Sequence, residues 1–211
     1  MAVGIRIKIC GLMRPEDILY VNRVRADYAG FILAEGRRRT LDRERVKELA
    51  ADLAPVILKT GVFVNQDPDW IAETVRITGI DAVQLHGSET EKEILYLRKL
   101  LDEGPGKQCR IVRAFRVEGP EDILRAEESS ADLVLLDHGA GGSGEAFDWS
   151  LAGKAGRPFF LAGGLDAENV QEAIRLLKPW AVDVSSGVET GGKKDPEKIR
   201  KFTEAVRNCQ I

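Results

Sequence analysis

Eight short apolar runs, charged segments of helical spacing between them, and an apolar–Asp pair that recurs along the chain predict a closed (β/α)8 barrel. The runs are rich in Val, Ile, Leu and Phe and read as continuous rather than alternating, which suits strands covered on both faces of a parallel sheet. The recurring pair is Ala26-Asp27, Ile80-Asp81 and Ala131-Asp132, each just ahead of an even-numbered strand. A spacing of about fifty residues is what a repeat of two βα units requires. Eight such units in 211 residues form one domain over 1–211, at the compact end of the ~200 to >400 residues this fold uses. No Pro/Gly/Ser-rich linker divides the chain, since GPGKQ and GAGGSG are too short to separate domains. An open doubly wound sheet is the alternative architecture.

The elements follow in order. RIKIC (6–10) and DYAGFIL (27–33) are the first two strands. The segment LDRERVKELAADLA then places Leu41, Val46, Leu49 and Leu53 near one helical face, with Asp42 as its cap. ILKTGVFV (57–64) and DAVQL (81–85) are strands three and four. SETEKEILYLRKLL opens with the capping-box pattern Ser88-x-x-Glu91. RIVRAF (110–115), DLVLL (132–136) and PFFLA (158–162) supply strands five to seven. DAENVQEAIRLLKP is a helix from Asp166 stopped by Pro179. AVDVS (181–185) is the last strand, and DPEKIRKFTEAVRN closes the chain with Pro196 in the first helical turn.

Composition narrows the function. A net charge of −3 leaves no broad electrostatic footprint for nucleic acid or an anionic membrane. Cys10, Cys109 and Cys209 are odd in number, widely spaced and in no C-x-x-C pair, which favours a reducing, cytoplasmic compartment over a disulfide framework. Arg6 and Lys8 interrupt the first apolar stretch, so no signal-peptide core is expected there. No run approaches the ~20 apolar residues of a membrane helix. With His86 and His138 the only histidines and no carboxylate or Cys cluster at ligand spacing, metal catalysis is not expected.

Barrel active sites lie at the C-terminal ends of strands. Those ends hold Cys10-Gly11, the cluster Arg37-Arg38-Arg39, Asn65, Gln84 with His86, Asp137, Gly163-Gly164, and Asp183 with Ser185-Ser186-Gly187. LAGGLDAEN and VDVSSGVE follow strands seven and eight, the recurrent phosphate position of this fold, and their glycines let backbone N–H groups approach an anion. Each set alone also fits an ordinary tight turn; together they point to a phosphorylated small molecule. GVETGGKK matches G-x-x-x-x-G-K, but Lys194 stands where Ser or Thr should hold Mg²⁺, and the segment follows the last strand. The run at 37–39 is either a solvated basic loop or, at the barrel mouth, the source of one arginine whose bidentate fork meets a carboxylate or second phosphate, the others being solvated.

Cys10 is either a packed small hydrophobe or a catalytic thiol, and its place at a strand tip favours the second. Asp137 ends the run ADLVLLD, where apolar surroundings resist ionisation, or else it caps a loop. His86 is open between a base, a ligand donor and a satisfied core histidine. Strands one, four and six are well separated around the ring, so no direct hydrogen bonding among Cys10, His86 and Asp137 is expected. An acid and a base acting on two ends of one small substrate suit the arrangement better.

KICGL (8–12), GVFVN (61–65), VQLHG (83–87), LLD (135–137), GGSGEAFDW (141–149), LAGGL (161–165) and VDVSSGVE (182–189) resemble the phosphoribosylanthranilate isomerases, in order and through essentially the whole chain. The resemblance implies a cofactor-free Amadori rearrangement in tryptophan biosynthesis, run by a monomer or homodimer. It implies Cys10 as general base and Asp137 as general acid, with the anthranilate carboxylate near Arg39. It implies further substrate contacts at His86 and Asp183, and phosphate on the backbones of Gly163-Gly164 and Ser185-Ser186-Gly187. The segment LAEGRRRT departs from the family by lacking the Pro and Ser that many relatives carry ahead of that Arg. A related sugar-phosphate barrel enzyme would be expected to show paired aspartates, or a catalytic Lys and Glu, at its strand ends. A ligand-binding barrel without turnover is the reading from another class.

Overall fold

The computed structural model describes residues 4–104, 108–137 and 155–209, and in it the eight runs form one closed parallel barrel in chain order. The strands are β1 (Arg6–Cys10), β2 (Tyr28–Ile32), β3 (Leu58–Phe63), β4 (Ala82–Leu85), β5 (Arg110–Arg116), β6 (Leu133–Asp137), β7 (Phe159–Ala162) and β8 (Ala181–Val184). The ring closes where β1 pairs with β8, from Arg6 opposite Ala181 to Ile9 opposite Val184. The helices are α1 (Pro15–Val24), α2 (Arg43–Ala51), α3 (Pro68–Thr78), α4 (Glu91–Asp102), α5 (Pro120–Glu128), α6 (Val170–Leu177) and α7 (Pro196–Arg207). The unit expected after β6, with His138 and GGSGEAFDW, lies outside the described residues.

Continuous apolarity does not hold for every strand. In β1, Ile7 and Ile9 join the main core cluster, whereas Arg6, Lys8 and Cys10 alternate with them onto the other face, that of the lumen. β8 behaves alike, with Val182 and Val184 in the core cluster and Asp183 on the lumen side beside Lys8. The upper lumen at this seam is polar, so only the outer face needs apolar cover. Deeper in the lumen a smaller cluster of Tyr28, Ala82, Val112, Leu133, Leu135, Phe160 and Ala181 fills the ring. Phe160 meets Tyr28 edge-on at 5.3 Å and Trp180 at 5.2 Å between ring centres, and the Arg6 guanidinium stacks over Trp180 at 4.3 Å. This aromatic plug lies toward the N-terminal ends of the strands.

The recurring Asp has a definite job. Asp27 accepts a hydrogen bond from the Ile7 N–H at 2.9 Å, Asp81 from Lys59 at 2.8 Å and Asp132 from Ile111 at 2.6 Å. Each carboxylate ahead of an even strand thus ties down a backbone donor near the start of the preceding odd strand. A net contribution of about 1.5–3 kcal/mol per charge-assisted bond makes the position worth repeating.

Two helix starts differ from expectation. α4 is capped by Thr90 and Glu93, the second S/T-x-x-E match in the same stretch, because Ser88 instead donates from both its N–H and its hydroxyl to Asn65 Oδ1. α6 starts at Val170, not at Asp166, whose carboxylate accepts from Glu168 and Asn169 N–H and so holds a turn ahead of the helix. Asp42 caps α2 and Pro196 stands first in α7 as expected, and Asp195 caps that last helix. The segment resembling a P-loop is a hairpin, β9 (Glu189–Thr190) with β10 (Lys193–Lys194), turned by Gly191 and Gly192 at positive φ.

Candidate active site

One cavity of about 490 Å³ opens at the C-terminal ends of the strands, and all ten expected site residues line it. They are Cys10, Arg39, His86, Asp137, Gly163, Gly164, Asp183, Ser185, Ser186 and Gly187, joined by Arg37, Arg38 and Gln84. Asn65 does not line it; its side chain supports the loop before α4. Among the described residues no group of His, Cys, Asp and Glu is placed to hold a metal ion. Among them, too, no helix is long and apolar enough to cross a membrane.

The chain of polar contacts begins at β4. Gln84 Nε2 lies 2.8 Å from His86 Nδ1, and His86 Nε2 lies 3.1 Å from Asp137 Oδ2. An amide that donates to Nδ1 leaves the imidazole proton on Nε2, facing Asp137 Oδ2 as its acceptor. Here the expectation of separated side chains fails: strands β4 and β6 are not neighbours, yet their tips converge over the lumen. Cys10 stands apart from this pair, on the β1–β8 seam.

At that seam Lys8 Nζ donates to Asp183 Oδ2 at 2.8 Å, with both side chains buried. The second oxygen, Asp183 Oδ1, is buried without a hydrogen-bond partner, and so is Gln84 Oε1. Two orphaned acceptors lining one cavity are a cost of about 1–3 kcal/mol each unless a ligand donor meets them. Burial pushes the Cys10 thiol above its ordinary value, while the Lys8 ammonium pulls it back. Lys8 itself is held above its usual value, because Asp183 and Cys10 together outweigh burial.

The loops after β7 and β8 are built for close backbone approach. Gly163 and Gly164 have φ of 96° and 64°, in the left-handed region that favours glycine. A Cβ on Gly187 would lie 1.9 Å from the Leu165 carbonyl oxygen, so only glycine lets the two loops touch. Having no side chains, all three glycines present backbone to the cavity. Ser185 donates its hydroxyl to the Cys10 carbonyl at 3.0 Å, tying this loop to the tip of β1.

Glu189 and Lys194, absent from the sequence reading as site residues, support both the loop and Arg39. Glu189 Oε2 accepts from Arg39 Nη2 at 2.7 Å and from Arg38 Nη2 at 2.9 Å, and its Oε1 from Lys194 Nζ at 2.8 Å. Lys194 also reaches the Ser185 carbonyl at 2.8 Å. Burial works to raise the Glu189 carboxyl, but Arg39 and Lys194 bring it below its usual value. Burial lowers Lys194 despite Glu189. Arg39 is mostly buried and its Nε has no partner, whereas Arg38 is largely exposed.

Comparison with known proteins now adds to this geometry. Residues 7–205 match the family described as N-(5'phosphoribosyl)anthranilate (PRA) isomerase. The chain belongs to that family. Among its relatives, the N-(5'-phosphoribosyl)anthranilate isomerase of Acetivibrio thermocellus is 46% identical over 210 residues, covering 96% of each chain. The crystal structure of phosphoribosyl anthranilate isomerase from Thermotoga maritima is 35% identical with a TM-score of 0.83, covering 96% of this chain and 98% of that one. A family structure in complex with reduced 1-(o-carboxyphenylamino)-1-deoxyribulose 5-phosphate is 33% identical with a TM-score of 0.81 and the same coverage. The cavity in this family member brings together the glycine loops after β7 and β8, the mostly buried Arg39, and Cys10 with Asp137.

Proposed function

We propose that the chain, acting over 1–211 as one catalytic unit in the cytoplasm, converts N-(5-phosphoribosyl)anthranilate to 1-(2-carboxyphenylamino)-1-deoxyribulose 5-phosphate in tryptophan biosynthesis. The observation that carries this reading is the meeting, in one cavity, of a thiol from β1, a carboxyl group from β6 and the paired glycine loops after β7 and β8. Asp137, oriented by His86, protonates the ribose ring oxygen and opens the ring to a Schiff base. Cys10 as thiolate then takes the proton from the neighbouring carbon, and the enolamine tautomerises to the ketone. The orphaned acceptors Gln84 Oε1 and Asp183 Oδ1 suit the sugar hydroxyls. The chain acts as a monomer or a homodimer. The direct test is to add the purified protein to phosphoribosylanthranilate and follow loss of anthranilate-type fluorescence; no loss beyond the uncatalysed rate refutes the assignment.

Arg39 is assigned to the anthranilate carboxylate, with Glu189 holding it in place. Arg39→Ala should weaken product binding by roughly 1.5–3 kcal/mol, the range for a hydrogen-bonded charge. Arg37→Ala and Arg38→Ala should each stay within ~1 kcal/mol, since an exposed arginine is screened. Titrating product into the three variants checks this, and equal losses would mean that only general positive potential matters.

The phosphate is assigned to the backbones of Gly163-Gly164 and Ser185-Ser186-Gly187. Gly187→Ala must force the loops apart, given the Leu165 carbonyl in its way. Product affinity should drop at least about tenfold, or ~1.4 kcal/mol. Affinity for anthranilate alone, which carries no phosphate, should be unaffected. Unchanged product affinity would place the phosphate elsewhere, with Lys193 and Lys194 next to examine.

A further inference from the structure

Lys8 is a lysine at 1% exposure inside the lumen, and the proposed proton transfers do not use it. It lies two residues before Cys10 on β1, so both side chains project from the same face of the strand. Across the seam, Lys8 is in register with Asp183, and the 2.8 Å ion pair fixes its ammonium. From that anchor the ammonium shares the lumen face of β1 with the Cys10 thiol, two residues along the same strand. On the opposite side, β2 presents Gly30, where a Cβ would come within 2.8 Å of Cys10 Sγ. The sulfur is therefore held between a glycine wall and a fixed cation.

We propose that Lys8 is a positioning residue for the base: anchored by Asp183, its ammonium holds the Cys10 sulfur in place and supplies the positive charge that stabilises the thiolate. This deepens the assignment of Cys10 and rests on it. Lys8 keeps its three protons throughout; the proton leaving the substrate carbon ends on sulfur, and the C–H electron pair passes into the enolamine. The other charged groups around the thiol cannot substitute. Asp183 faces it from β8 and opposes ionisation, while Lys194, reaching in from β10, attracts more weakly than Lys8. Arg39 packs over Gly11, and its charge is engaged by Glu189. Burial alone pushes the thiol up, and Lys8 is the largest influence in the other direction. A neighbouring opposite charge moves a titration by about 1–3 pH units.

The test is the pH dependence of Cys10 alkylation by iodoacetamide, read by mass spectrometry on the folded protein. In Lys8→Gln the midpoint should rise by at least about one pH unit, a tenfold slower reaction at fixed pH. The acidic limb of kcat/KM should move with it, product affinity should change little, and Lys8→Arg should restore much of the shift. If Lys8→Gln leaves Asp183 stranded and does not fold, the double substitution Lys8→Met with Asp183→Asn removes both charges and should still move the midpoint upward, by less, because Asp183 no longer opposes ionisation. An unchanged midpoint in the folded variant overturns the role of Lys8. Because alkylation reads the thiol directly, that outcome is distinct from failure of Cys10 as base, which would show as retained activity in Cys10→Ala.

Discussion

Cys10→Ala should keep the barrel and its product affinity while losing turnover by at least ~10²-fold, the lower end for a positioned acid or base. The thiol packs against Gly30 and lines the cavity, and alanine removes one sulfur without adding bulk. The ground-state contacts proposed for Arg39 and for the loops after β7 and β8 do not involve the thiol, so the loss should fall on kcat and leave product binding near normal. In the parent enzyme, alkylation should abolish activity and bound product should protect against it. Burial pushes this thiol up against the pull of Lys8, so inactivation should accelerate as pH rises beyond the ordinary thiol range. A thiol held up in this way offers little thiolate at neutral pH, but what forms is a stronger base. Product binding, steady-state kinetics and circular dichroism on the variant decide the matter. Most of the activity surviving in Cys10→Ala would return the residue to a packing role.

Asp137→Asn should be comparably damaging for a different reason. The amide keeps the shape of the carboxyl group, and its oxygen still accepts from His86 Nε2, so the contact at 3.1 Å survives. What is lost is a labile proton for the ribose ring oxygen. A fall in kcat of at least ~10²-fold is expected, with product affinity nearly unchanged. His86→Gln should cost less, because that side chain orients the acid without donating to the substrate. If Asp137→Asn stayed within about tenfold of the parent and His86→Gln fell further, the proton would have to come from the imidazole.

Strand positions were legible because runs such as FFLA and LVLL have one comfortable place, between the lumen filling and the helices. Site residues were legible for a geometric reason: a parallel barrel brings every strand's C-terminal end to one rim, so Cys10 and Ser185, at opposite ends of the chain, had to be neighbours. Contacts across the rim were not legible. Counting strands around the ring keeps His86 away from Asp137, but side chains of this length span the lumen that separates their strands. Lys8 read as an interruption of an apolar run, since its partner Asp183 is 175 positions away. Glu189 and Lys194 were hidden by a nucleotide-loop lookalike whose glycines serve a hairpin turn. Ser88 and Thr90 offered two capping boxes in one segment, and only the competing pull of Asn65 decides between them.

Pairing of the first strand with the last has a consequence for how the enzyme comes into being. Lys8 opposite Asp183 and Ile9 opposite Val184 are among the pairings most distant in sequence, and closing so long a loop is the entropically costly part of forming such a ring. Cys10 takes its cation's anchor and the support of its carbonyl from residues 183 and 185, both beyond that seam. Without β8, β1 would be an edge strand, and Cys10 would lack both Asp183 to anchor Lys8 and Ser185 to hold its carbonyl. Activity is therefore expected only once β8 has paired with β1 and closed the ring.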